Sequence, residues 1–199
     1  RRVLFRSHSK PWITEDDKIS IINQLESRQI SNGSKNKVFC SKLKEYLEVD
    51  NFYLTSNGSS AIYISLLALD IKQTDEIILP AYVCKNVLDA VLHIGAKPVL
   101  CDIGEYWCMT PENVENLINE KTKAIIIVHP LGLYCNIEQF KRYNVKIIED
   151  CCQCFARYIH VYKTLQHSDI AVYSFNAIKC LTTGEGGGIS THNEDIADR

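Results

Sequence analysis

Three short stretches of this chain combine residue types that could do chemistry together. The first is Ser56-Asn57-Gly58-Ser59-Ser60-Ala61. A glycine and hydroxyl residues where a strand passes into a helix leave backbone N–H groups at the positive end of a helix dipole, a natural anion site and most often a phosphate site. It lacks the Gly-Lys-Ser/Thr ending of a Walker loop, and an ordinary capped helix start would look similar. The second is Ile147-Ile148-Glu149-Asp150, followed by Gln153. Successive side chains of a strand alternate, so only one of the two acids faces a given site, and a buried carboxylate there needs a cationic partner. The third is Val172-Tyr173-Ser174-Phe175-Asn176-Ala177-Ile178-Lys179, running on to Gly184-Glu185-Gly186-Gly187-Gly188. A lysine beside a strand end can serve as a nucleophilic amine that forms a Schiff base, although a lone lysine is usually a surface ammonium. Read separately, each stretch has a plain structural explanation. Together, a phosphate cradle, a carboxylate and an imine-forming amine match the three handles of pyridoxal 5'-phosphate (PLP): its phosphate, its pyridine nitrogen and its aldehyde.

The elements that must position these residues follow from the pattern of the chain. Helices are expected over 15–26, with Thr14 as N-cap, and over 37–47, with 31–34 breaking between them. Strands are expected at 52–55, 76–79, 97–102, 123–128, 145–149, 169–173 and 188–191. Helices are expected at 59–69, 84–94, from Thr110-Pro111, and at 137–143. Unbroken runs such as Ala124-Ile125-Ile126-Ile127-Val128 belong to strands covered on both faces. The expected fold class is therefore α/β: a three-layer α/β/α sandwich around a mainly parallel seven-stranded sheet, with ligands at the carboxyl ends of the strands. There is no internal repeat and no low-complexity segment.

Bulk properties narrow the function classes. The chain has 199 residues, 46% hydrophobic and 23% charged, with a net charge of -2, which points to neither nucleic acid nor an anionic membrane as partner. No apolar run is long enough to span a bilayer as a helix, and no signal peptide is visible. The nine cysteines are scattered. The cluster Cys151-Cys152-Gln153-Cys154 invites a metal reading, but adjacent residues of an extended segment face opposite ways and no Cys/His pair stands at zinc-finger spacing. No metal is expected; the thiols read as small buried side chains in a reducing cytoplasm. Residues Arg2-Val3-Leu4-Phe5-Arg6-Ser7 match a reading frame of a common sequencing adapter, so 1–7 are expected to be non-native and 8–199 to form the cofactor-binding domain. The chain breaks off in a helix start at Asp195-Ile196, as a fragment would.

Four stretches, TSNGSSAIYISLLAL, EIILPAYVCKNVLDAVLHIGAKPVLCDI, KIIEDCCQ and YSFNAIKCLTTGEGGGIS, resemble the successive signatures of the DegT/DnrJ sugar aminotransferases. The resemblance runs from about Pro11 onward and implies the large domain of the aspartate aminotransferase fold with PLP as cofactor. It also implies residue roles. Lys179 would be the internal-aldimine lysine and Asp150 the pyridinium partner; Gln153 would contact the ring and its phenolic oxygen. Gly58, Ser59, Ser60 and Ser174 would hold the phosphate. The implied reaction moves an amino group from glutamate or glutamine to a nucleotide-linked keto-sugar, for amino-sugar or polysaccharide biosynthesis, in a cytoplasmic homodimer with a further small C-terminal domain. Without that domain the 199 residues are expected to be inactive alone. A dehydratase of the same fold is the alternative enzyme, which Lys179 in place of histidine disfavours. A non-catalytic sensing protein, or an inactive truncated homologue, is the alternative of another class. Cys84 stands where such enzymes usually have a ring-stacking aromatic, Phe39-Cys40 where many read Phe-Glu, and Cys154-Phe155-Ala156 where Ala-His-Gly is common.

Overall fold

A computed structural model describes residues 10–155 and 163–199. The proposed non-native segment 1–7 and Ala156 lie outside the described residues. Seven strands form one sheet: β1 (Asn51–Thr55), β2 (Glu76–Pro80), β3 (Lys97–Cys101), β4 (Thr122–Val128), β5 (Lys146–Asp150), β6 (Ile170–Ser174) and β7 (Gly187–Thr191). Their order is β1-β7-β6-β5-β4-β2-β3. β7 is antiparallel to both its neighbours, and the remaining pairs are parallel. The carboxyl ends of the other six strands and the start of β7 therefore share one edge of the sheet.

The period-two alternation of the strands sorts their side chains into two cores. Ile77, Leu79, Ala124, Ile126, Ile148 and Val172 pack under α3 (Gly58–Ala68) and α4 (Lys85–His93). Ile78, Ile125, Ile127 and Ile147 face the other way, toward α5 (Pro111–Glu115) and the 3-10 segment Ile137–Tyr143. On that second face Ala171 and Tyr173 meet Leu43 and Leu47 of α2 (Ser34–Leu47). The three-layer sandwich expected from the Ile/Val runs is the one observed, because strands apolar on both faces must be covered on both.

Local chemistry explains the helix boundaries. Thr14 caps α1 (Glu15–Glu26) with a reciprocal capping box to Asp17. Thr110 accepts from the Asn113 N–H, and Pro111 opens α5. α2 begins three residues earlier than the pattern indicated, at Ser34 behind Gly33, and ends on Glu48 with φ 55°. The segment 137–143, expected as a helix, is wound as a 3-10 helix and stops at the left-handed Asn144. α1 buries none of its residues. A last helix, α6 (Glu194–Ala197), is capped by Asn193.

Candidate active site

A cavity of about 340 Å³ opens at the shared strand edge, and Asn57, Gly58, Ser59, Asp150, Gln153, Ser174 and Lys179 all line it. At its α3 end the Asn57 side chain accepts from the Ser60 N–H at 2.8 Å, and its carbonyl accepts from the Ala61 N–H at 3.1 Å. That leaves the Gly58 and Ser59 N–H groups as first-turn donors with no helical partner, at the positive end of the dipole. Gly58 must be small: a Cβ there would come within 3.0 Å of Ser174 Cβ and 3.1 Å of Cys152 Sγ. Ser60 sits differently from Ser59. Its hydroxyl meets Ser56 Oγ at 2.9 Å, and it lines an adjoining cleft with Tyr63, Asn86 and His93 rather than the cavity.

The acidic pair divides by strand alternation. Asp150, 4% exposed, closes β5 on the cavity side, and its Oδ1 accepts the Cys152 N–H at 2.9 Å. Glu149 turns to the opposite face. It accepts from His129 Nε2 at 3.0 Å, from the Leu165 N–H at 3.1 Å and from Ser168 Oγ at 2.8 Å. Burial opposes its charge, but these donors, His129 foremost, outweigh it and hold the carboxyl below the usual range. His129, which sequence reasoning missed, is fixed from both sides, because its Nδ1 accepts the Cys135 N–H at 3.1 Å. Ligand-type atoms of His129, Cys151 and Cys154 lie within 4.8 Å of one another. The hydrogen bonds to Glu149 and Cys135 already account for the orientation of that imidazole. Burial, followed by the Asp150 charge, pushes the Cys152 thiol up, so it faces the cavity as a neutral group.

Lys179 sits in a loop that ties itself shut between β6 and β7. Phe175 donates its N–H to the Gly186 carbonyl at 2.8 Å and accepts from the Thr183 N–H at 3.0 Å. Asn176 Oδ1 accepts the Ile178 N–H at 3.2 Å, and its carbonyl accepts the Lys179 N–H at 2.9 Å. Its Nδ2 donates to Glu185 Oε1 at 2.8 Å. One asparagine thus links the lysine turn to the glycine-rich return. The Asn-x-Ile spacing two residues after a strand end was the available signal for it.

These residues are brought together in a setting shared with known proteins. The chain matches the DegT/DnrJ/EryC1/StrS aminotransferase family over residues 11–199. It belongs to that family. It is 34% identical, over 196 residues, to GDP-perosamine synthase of Escherichia coli O157:H7, an alignment covering 96% of this chain and 54% of that protein. The aminotransferase from Psychrobacter cryohalolentis superposes with a TM-score of 0.89 at 28% identity, covering 96% of this chain and 51% of the other. NtdA from Bacillus subtilis, solved with bound cofactor PMP, superposes at 0.84 with 32% identity, covering 97% and 47%. The chain spans about half the length of these relatives.

PLP is the cofactor of DegT/DnrJ aminotransferases, and the cavity suits it. The glycine-narrowed first turn of α3 offers N–H donors for a phosphate, with the Ser59 and Ser174 side chains beside it. Asp150 is a buried carboxylate in the cavity wall, a group suited to a protonated ring nitrogen. Gln153 Oε1 accepts the Leu131 N–H at 2.9 Å, which leaves its Nε2 as the donor for the cavity, suited to a phenolic oxygen.

Proposed function

We propose that this chain is the cofactor-binding part of a PLP-dependent sugar aminotransferase, which moves an amino group from glutamate or glutamine to a nucleotide-linked keto-sugar. The observation that carries the reading is the convergence of Asp150 and Lys179 on one cavity with the first turn of α3. Bound there, PLP supplies an electron sink for the charge that develops at the donor's α-carbon. Asp150 holds a proton on the pyridine nitrogen. Gly58 and Ser59 bind and orient the phosphate, with Ser174 beside them. Lys179 Nζ would hold the cofactor's aldehyde carbon and, when free of it, would serve as general base and then acid for the proton at the donor's α-carbon. A cytoplasmic homodimer completed by a small C-terminal domain is part of this proposal. The further domain is supported by the length of the relatives, of which this chain spans about half. Among the described residues no helix is long and apolar enough to cross a membrane.

The test is to load the full-length natural protein with PLP, reduce with borohydride, digest with trypsin and identify the modified peptide. The cofactor is expected on the peptide containing Lys179. Attachment at another lysine, or none, would refute the assignment.

A further inference from the structure

Beyond the cofactor cavity lies a second hollow of about 310 Å³, lined by Tyr82, Val83, Cys84, Val128, Pro130, Leu131 and Gln153. Val83, Cys84, Val128 and Gln153 also line the cofactor cavity, so the two spaces meet along one wall. The hollow lies at the ends of β2 and β4, whereas Asn57, Gly58 and Ser59 line the cofactor cavity and not the hollow. Its outer wall is built with care. Tyr82 is braced edge-on by Trp107, with ring centroids 4.9 Å apart and planes at 72°. Trp107 and Leu131 both take the left-handed backbone region, at φ 62° and 54°. Bulky residues rarely adopt that conformation, and strain of this kind gathers where a site must be shaped. Leu131 is held there by the hydrogen bond from its N–H to Gln153. The wall of the hollow and the residue facing the cofactor are therefore one unit.

We propose that this annex receives the uncharged sugar ring of the amino acceptor and is the part of the site that selects it; the proposal rests on the aminotransferase reading above. The reaction takes two partners in turn. An amino-acid donor brings a carboxylate, which is costly to bury without a cation, and no charged side chain lines the annex. A sugar ring, with C–H faces and an uncharged rim, suits walls of Tyr82, Val128, Pro130 and Leu131 and the single amide of Gln153.

The experiment uses the full-length natural protein loaded with PLP, with Tyr82→Ala, Tyr82→Phe and Leu131→Gly variants. Calorimetry measures binding of GDP-, UDP- and dTDP-linked amino sugars, GDP-perosamine among them, and of the free nucleotides. Absorbance follows conversion of the cofactor by glutamate alone. Tyr82→Ala is expected to weaken the best-bound amino sugar about ten-fold, the scale of a lost aromatic contact. Tyr82→Phe should change little, and neither free-nucleotide binding nor the glutamate step should move. Leu131→Gly, which keeps the left-handed turn, should weaken the sugar in the same sense. Unchanged sugar affinity, an equal loss in the glutamate step, or wild-type protein that carries PLP on Lys179 yet binds none of the amino sugars would overturn the annex. Failure to fix PLP on Lys179 would instead overturn the aminotransferase reading.

Discussion

Glu149 and Asp150 are neighbours in sequence, but their substitutions should fail in different ways. Asp150→Asn leaves an amide where, in the proposed function, a carboxylate holds a proton on the ring nitrogen. Turnover by the full-length protein should fall on the order of hundreds-fold, an interaction of a few kcal/mol, with little change in melting temperature. Glu149→Gln should instead cost about 2 kcal/mol of stability, because donors from Leu165, Ser168 and His129 converge on that carboxylate and an amide cannot accept from all three. The sign of the pH effect follows from its depressed native value. Glu149's contribution is complete above its unfolded value, about pH 4.3, and is lost as pH falls through the lower native one. Denaturant melts from pH 6 to pH 2.5 should show that acid-side loss in the wild type and a shallower one in Glu149→Gln. Equal pH slopes would remove Glu149 from the stabilising network.

At the scale of elements, the glycine-rich return after Lys179 is a spacer for the phosphate turn. A Cβ on Gly187 would lie 2.4 Å from the Asn57 carbonyl carbon and 2.5 Å from its oxygen, so β7 can start beside α3 only with glycine there. Gly187→Ala should push the Asn57 cap aside. A stability loss of about 1–3 kcal/mol is expected, together with weaker PLP binding measured by absorbance titration, and Gly33→Ala is the comparison, since the nearest atom to a Cβ there is the Ser31 oxygen at 3.9 Å. Equal cofactor affinity in the two variants would separate β7 from the cradle. The elements themselves were legible in the sequence because β2, β4, β5 and β6 carry unbroken apolar runs and glycine, proline or capping residues mark several of the connecting turns. That Lys179, Asp150, Gln153 and the Gly58-Ser59 turn would line one cavity was legible because each closes or follows a strand. Ser60 was not separable from Ser59 in the sequence, although Ser59 reaches both the cavity and the adjoining cleft and Ser60 only the cleft. His129, Asn176 and Glu185 were missed because their roles lie in hydrogen bonds to residues distant in sequence or across a loop. The pairing of Tyr82 with Trp107 joins two separate loops and left no periodic trace.

For the molecule as a whole, the N-terminal arm stands out among the described residues for apolar side chains left exposed. Trp12 is 90% exposed, Ile22 53% and Leu25 60%, the last two one turn apart on α1. Apolar surface of this kind drives association when nothing covers it. Residues 10–199 produced alone should therefore run above monomer mass in light scattering, bind PLP weakly at most and show no steady glutamate-dependent turnover. An Ile22→Lys, Leu25→Lys pair should lower the mass. A soluble monomer that turns over steadily would show that these residues suffice.

The sheet order also has a consequence for how the chain is made. β1 lies at the edge of the sheet, and among the described residues its strand partner is β7, through Asn51 opposite Thr191. On a ribosome β1 emerges long before Thr191 does, and until then it has no ladder to join. The phosphate turn that follows β1 cannot be held in place during that interval, because the residue that spaces it, Gly187, arrives with β7. Such distant pairing is slow to form and leaves an edge open to other chains. The nascent protein should need shielding until β7 is released, and cofactor capture should wait for that strand.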